Sequence, residues 1–156
     1  GPLSNPTNPT GQVLGVPCSK IAPKIAETLN NLGCKKAMIV HGQNPILDEI
    51  SICGKTLVYK LEKGAIEQIE LHPQDFGFKI SSLNEILGGS PQENAQIIEN
   101  ILSGKCFDAR FDTVLLNTGA LLWVGNKVDS IEKGIDLAKE LILSGKAAKK
   151  LQELKG

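Results

Sequence analysis

The sequence predicts an α/β domain: part of a mainly parallel sheet carrying a β-hairpin, with flanking helices and a helical C-terminal end. Three observations predict it. An apolar strand, an amphipathic helix and a second apolar strand follow one another between residues 12 and 42, the order of a parallel βαβ unit. Apolar and polar residues then alternate on both sides of Glu62-Lys63-Gly64, the period-2 mark of a hairpin. Three helical stretches in succession close the chain.

Residues 1–11 are rich in Pro, Asn, Thr and Gly and read as extended loop. "QVLGV", residues 12–16, is the first strand. In "SKIAPKIAETLNNLG" the residues Ile21, Ile25, Leu29 and Leu32 recur at helical spacing. Pro23 confines the start of that helix, because a proline ring fits only its first turn, and Gly33 stops it. "KKAMIVHG", residues 35–42, is the second strand, and residues 55–71 form the hairpin. "HPQDFGF" is a turn with room for one helical turn; "SSLNEILGG" is a short helix stopped by Gly88-Gly89. "SPQENAQIIENILSG" carries the clearest helix signature. Ser90 caps it, Pro91 suits the first helical position and Glu93 completes a capping box. Ile97, Ile98, Ile101 and Leu102 form its buried stripe and Gly104 ends it. Residues 108–126 are apolar on nearly every face from Val114 to Val124, too short a run to span a membrane, and read as a buried central helix. The next helix begins at Asp129 or Ser130 and stops at Gly145, and "KAAKKLQELKG" is a final basic helix.

The chain has 156 residues, enough for one domain with a real core. It holds 17 basic and 17 acidic residues, a balance that argues against a broad nucleic-acid or membrane surface. Aromatic residues make up only 4%, so base stacking is not its mode of recognition. Cys18, Cys34, Cys53 and Cys106 form no C-x-x-C pair, which argues against zinc. Scattered thiols without a secretory signal point to the cytoplasm. The opening "GPLSNPTNPTGQ" has no initiator Met and reads either as a purification scar with a linker or as internal sequence of a longer chain.

The residues offer little chemistry by local spacing. There is no phosphate loop, no dinucleotide fingerprint and no nucleophile elbow. What stands out is "NPILDEIS", where Asp48 and Glu49 lie side by side just past the second strand. Ligands of open α/β sheets gather at strand C-terminal ends, and Mg²⁺ often takes one or two carboxylates with the remainder of its shell from water and phosphate. Capping or solvation is the competing reading of the pair. His41 reads as a strand-end histidine bonded to nearby backbone, or as an acid–base or phosphate-contacting group. His72 reads as structural and Trp123 as core. Asn117 either reaches a site or makes a buried hydrogen bond to a neighbouring element. Lys35, Lys36, Lys146, Lys149 and Lys150 read as solvated charges.

Several stretches together resemble the C-terminal half of the anthranilate phosphoribosyltransferase family. They are "GPLSNPTNPTGQVLGV", "NNLGCKKAMIVHG", "LDEIS", "HPQDFGF", "LGGSPQENAQIIENILSG" and "VLLNTGALLWVGNKVDSIEKGIDLAKELILSG", in the family's order and over nearly the whole chain. The resemblance implies that residues 1–156 are the C-terminal part of the family's α/β domain, without its small helical domain. It implies an enzyme of tryptophan biosynthesis that transfers phosphoribosyl from phosphoribosyl pyrophosphate to anthranilate with release of pyrophosphate. The family uses Mg²⁺ and is commonly homodimeric. Its acid pair binds metal, a role that the resemblance carries to Asp48 and Glu49. Its "GPLSNP" loop adjoins the anthranilate path, which carries to Asn5 and Pro6. No catalytic acid, base or nucleophile is assigned.

The chain departs from the family in places. Ile46 stands where a glycine is usual two residues before the acids, the loop "GQNPI" is about one residue longer, and Pro17 replaces a common aromatic. The glycine-rich pyrophosphate loop, the Lys-His-Gly-Asn segment and the anthranilate arginine of the family lie upstream and are not in this sequence. A carboxylate pair alone cannot orient two substrates, so this chain by itself is expected to be inactive and to need the missing N-terminal half. Two alternatives stand beside this one: a pyrimidine nucleoside phosphorylase-like enzyme of the same architecture, and a non-catalytic interaction module.

Overall fold

A computed structural model describes Pro9 and residues 11–155. Four strands form one sheet in the order β1-β2-β3-β4. They are β1, Gly11–Gly15; β2, Lys36–Gly42; β3, Thr56–Glu62; and β4, Ala65–Leu71. β1 and β2 run parallel, joined through helix α1, Ala22–Asn31. β2 pairs antiparallel with β3, and β3 with β4. The α/β class, the βαβ unit and the hairpin therefore follow the sequence pattern. Parallel pairing is nonetheless the minority among the described strands. The connection from β2 to β3 contains no crossover helix, so the chain reverses and pairs antiparallel. Lys63 and Gly64, at φ 51° and 83°, make the hairpin turn, a left-handed pair whose twist matches that of the strands.

β2 is buried along its whole length, and its side chains alternate between two cores. Ala37 and Ile39 pack with Leu14, Leu61 and the α1 residues Ala22, Ala26 and Leu29. Met38 and Val40 pack on the other face with Val58, Leu116, Ala120 and Ile135. Those last three come from the helical end of the chain: α4, Ala109–Val124, and α5, Ile131–Leu143. Before them lie α2, Leu83–Ile86, and α3, Pro91–Leu102; after them comes α6, Lys146–Leu154. The segment Pro73–Phe76 is a single 3₁₀ turn. No helix among the described residues is long and apolar enough to cross a membrane.

The local signals work as their chemistry requires. Ser90 accepts the Glu93 N–H and the Glu93 carboxylate returns to the Ser90 N–H at 2.7 Å, so the capping box of α3 is closed. Ser130 caps α5, and Gly145 beyond it sits at φ 76°. Three side chains fall elsewhere than periodicity places them. Ile21 and Leu32 are exposed because they flank α1 as its cap residues, and the buried stripe is Ala22, Ala26 and Leu29. Ile98 is 50% exposed, since α3 is covered on one side only. Lys36 is not a solvated charge: it lies buried in β2, its ammonium 3.8 Å from the centre of the Trp123 ring and 3.5 Å from Glu62. Trp123 itself is core, as expected.

Candidate metal-carboxylate loop

The segment from Gln43 to Lys55 leaves the C-terminal end of β2. Its first part closes on itself: the Gly42 N–H donates to the Leu47 carbonyl at 2.8 Å, and the Leu47 N–H returns to the Gly42 carbonyl at 3.2 Å. Ile46 sits in this closed part and is 67% exposed. The longer "GQNPI" stretch is thus looped out before the acids begin. Pro17 is also exposed.

Asp48 then crosses the end of β1. A Cβ added to Gly15 would stand 1.6 Å from the Asp48 carbonyl oxygen, so only a glycine lets loop and strand come this close. Beyond the acids, nearly every residue is anchored. The Ile50 N–H donates to Asn117 Oδ1 at 3.0 Å, and Asn117 Nδ2 donates to the Ile50 carbonyl at 2.9 Å. The Ser51 N–H donates to Thr56 Oγ1 at 2.9 Å, and the Ser51 hydroxyl accepts the Cys53 N–H at 3.0 Å. Ile50, Ser51, Ile52 and Cys53 are all buried. The acid pair is therefore the accessible end of a loop rooted in the core.

The two carboxylates differ. Asp48 is exposed, whereas Glu49 is half-buried. Burial raises the Glu49 pKa above the usual glutamate value, and the neighbouring Asp48 charge raises it further. Both causes penalise the ionised form, and a divalent cation beside the pair would oppose both. The donor set thus suits a hard cation that completes its shell from water and phosphate. Among the described residues no three His, Cys, Asp or Glu side chains gather as a metal-binding cluster, so these two acids cannot form a closed protein cage.

Glu49 also lines a cavity of about 420 Å³ walled by Ile86, Ile97, Ile98 and Val114, with Arg110 on its polar side. Arg110 Nε donates to Asp108 Oδ2 at 2.9 Å. The Asp108 carboxylate also caps α4, accepting the Arg110 and Phe111 N–H groups at 3.0 and 3.3 Å. Sequence reasoning missed this cavity and Arg110. The available signal was an aspartate followed two residues later by arginine at a helix start.

The remaining candidates resolve simply. His41 is buried, and its Nδ1 lies 2.8 Å from the Val16 carbonyl. A carbonyl only accepts, so Nδ1 carries the proton and the ring bonds to nearby backbone. His72 belongs to the turn that Asp75 closes. Asn117 makes the hydrogen bonds to a neighbouring element described above. Burial pushes the Cys53 thiol up, so it stays protonated and is no nucleophile. Asn5 and Pro6 lie outside the described residues.

A family model described as "Glycosyl transferase family, a/b domain" matches residues 1–148. The chain is 51% identical over 154 residues to an anthranilate phosphoribosyltransferase of Petrotoga mobilis, covering 99% of this chain and 44% of that protein. It is 49% identical to one of Clostridium beijerinckii, covering 99% of this chain and 45% of that protein. Among solved structures it is similar to anthranilate phosphoribosyltransferase of Thermus thermophilus, with a TM-score of 0.88, 33% identity and coverage of 98% and 44%. It is also similar to that of Saccharomyces cerevisiae in complex with PRPP and Mg, with a TM-score of 0.86, 32% identity and coverage of 97% and 44%. The chain spans a little under half the length of these relatives.

Proposed function

Since the chain belongs to the glycosyl transferase family by its a/b domain, we propose that it supplies the α/β part of an anthranilate phosphoribosyltransferase. In that reaction the anthranilate amine attacks C1 of phosphoribosyl pyrophosphate. The C1–N bond forms as the bond from C1 to the pyrophosphate oxygen breaks, and the amine releases one proton. Pyrophosphate leaves with much negative charge. Mg²⁺, when bound, would offset that charge and orient the leaving group.

Asp48 and Glu49 are the residues that would hold the ion. Their backbone is fixed in advance by Gly15, Asn117 and Thr56, which limits the reorganisation needed as charge develops. Asn5 and Pro6 would wall the anthranilate path. The observation that carries the reading is this acid pair on an anchored loop beyond a parallel strand pair, in a chain 51% identical to a named relative. The thiols Cys18, Cys53 and Cys106 fit a cytoplasmic enzyme. Homodimerisation belongs to the complete protein.

The chain alone should not turn over. Joined to the family's N-terminal part, it should consume anthranilate and form phosphoribosyl-anthranilate. In that assembly Asp48→Asn with Glu49→Gln should lower turnover by about 10²-fold or more. An undiminished rate in the double variant would refute the assignment. Phosphorolysis of a pyrimidine nucleoside without transfer to anthranilate would favour the alternative enzyme class.

A further inference from the structure

We propose that Asn117 is a positioning residue for the metal carboxylates, acting through the backbone that follows Glu49; this rests on the proposed function above. The side chain projects from α4, one of the best-buried helices of the fold, which carries seven buried residues from Phe111 to Val124. Asn117 is half-buried there, and taking a primary amide even partly out of water is unfavourable unless its polar atoms are bonded. Here they are. Oδ1 accepts the Ile50 N–H at 3.0 Å, and Nδ2 donates to the Ile50 carbonyl at 2.9 Å and to the Thr113 carbonyl at 3.1 Å.

The pattern of donors fixes which way the amide faces, because the Ile50 N–H must meet oxygen and its carbonyl must meet nitrogen. The Thr113 bond ties the same amide back to its own helix. Asn117 therefore grips both peptide planes on either side of Ile50 at once. The first of these planes joins Ile50 to Glu49, so its orientation sets the direction in which the Glu49 side chain leaves the chain. The contact links residues 67 apart in sequence, and it transmits the rigidity of a core helix to the loop that bears the acids.

A residue that merely stabilised the fold would lower the amount of folded protein and leave the metal affinity of the folded fraction alone. A positioning residue shifts the affinity. Groups that orient metal ligands from behind typically change affinity about 10–100-fold when removed. The test uses the full-length assembly with both substrates and measures the Mg²⁺ concentration that gives half-maximal velocity. Mn²⁺ binding in the presence of pyrophosphate, followed by electron paramagnetic resonance, gives a readout besides activity.

Asn117→Ala should raise both values about tenfold, with velocity largely restored at high Mg²⁺. Ile142→Ala removes a buried core side chain of α5 that takes no part in the Asn117–Ile50 hydrogen bonds, and it should leave both values unchanged. If Asn117→Ala does not fold, Asn117→Ser, which retains one hydrogen-bonding group, takes its place and should shift them in the same direction. Values for the Asn117 variants equal to those of Ile142→Ala would overturn the inference and leave the proposed function standing. Unchanged values in Asp48→Asn with Glu49→Gln would instead remove the metal assignment, and the inference with it.

Discussion

Replacing Gly15 by alanine tests the closest contact in the site. The added Cβ would lie 1.6 Å from the Asp48 carbonyl oxygen, 2.4 Å from its carbon and 3.0 Å from Asp48 Cα. All three are backbone atoms, so no side chain can swing aside. Loop and strand must part by about 1.4 Å before the contact becomes tolerable. Neither can move freely. β1 is hydrogen-bonded to β2, with Gly15 opposite Val40, and the loop is pinned at Ile50 by Asn117. Overpacking of this kind costs about 1–3 kcal/mol, and one or two distorted hydrogen bonds add about 1 kcal/mol each, so about 2–5 kcal/mol in all. For a chain of this size that is a fall in Tm of roughly 4–20 °C, read by far-ultraviolet circular dichroism. Gly33→Ala is the control. Gly33 sits at φ +84° with nothing within 4 Å of its added Cβ, so it carries only the left-handed backbone penalty, about 1 kcal/mol or roughly 2–4 °C. A Gly15→Ala protein that melts with or above Gly33→Ala would refute the close approach of loop and strand.

Two further expectations concern ionisation and capping. Burial and Asp48 raise the Glu49 pKa above 4.5; between that value and the folded value the folded chain binds more protons than the unfolded one, so this group's contribution to stability falls as pH rises. Glu49→Gln should therefore melt higher than wild type at neutral pH, with the difference closing as pH drops towards 4.5; a difference that does not vary with pH would contradict this. Asp108 is the opposite case: burial alone would raise its pKa, but hydrogen bonds from Arg110, Cys106 and the Phe111 N–H hold it below 3.8. Its contribution is present at neutral pH and lost as pH falls through the lowered value. Asp108→Ala should cost about 1–2 kcal/mol at neutral pH, and the deficit in melts run at successively lower pH should shrink.

Much of this architecture was legible because its determinants are local. The capping box Ser90–Glu93, the turn at Lys63-Gly64 and the stop at Gly145 each lie within a few residues of what they specify. The acid pair was legible for a related reason, since its place just beyond an apolar strand can be read directly from the sequence. What escaped reading depends on distant partners. The burial of Lys36 is settled by Trp123 and Asn126, which arrive from the far end of α4. The Gly15–Asp48 contact joins two loop-flanking positions that no periodicity links. The exposure of Ile98 depends on what covers α3, and a hydrophobic stripe marks a face without saying what packs on it. The resemblance added what spacing could not, the proposed metal role of Asp48 and Glu49.

The anchoring of the loop bears on why the acids sit side by side at all. Two adjacent carboxylates repel, and a flexible loop would turn one of them away. Here the Asp48 backbone lies against Gly15 and the backbone after the pair is held by Asn117, so separation by loop motion is restrained. Burial raises the Glu49 pKa, and this repulsion from Asp48 raises it further. A divalent cation would relieve it, and protons would compete for the same oxygens. Metal affinity should therefore weaken as pH falls towards the Glu49 value. The chain fixes where the cation would sit, but its two acids leave most of a six-oxygen shell to be filled by water and phosphate.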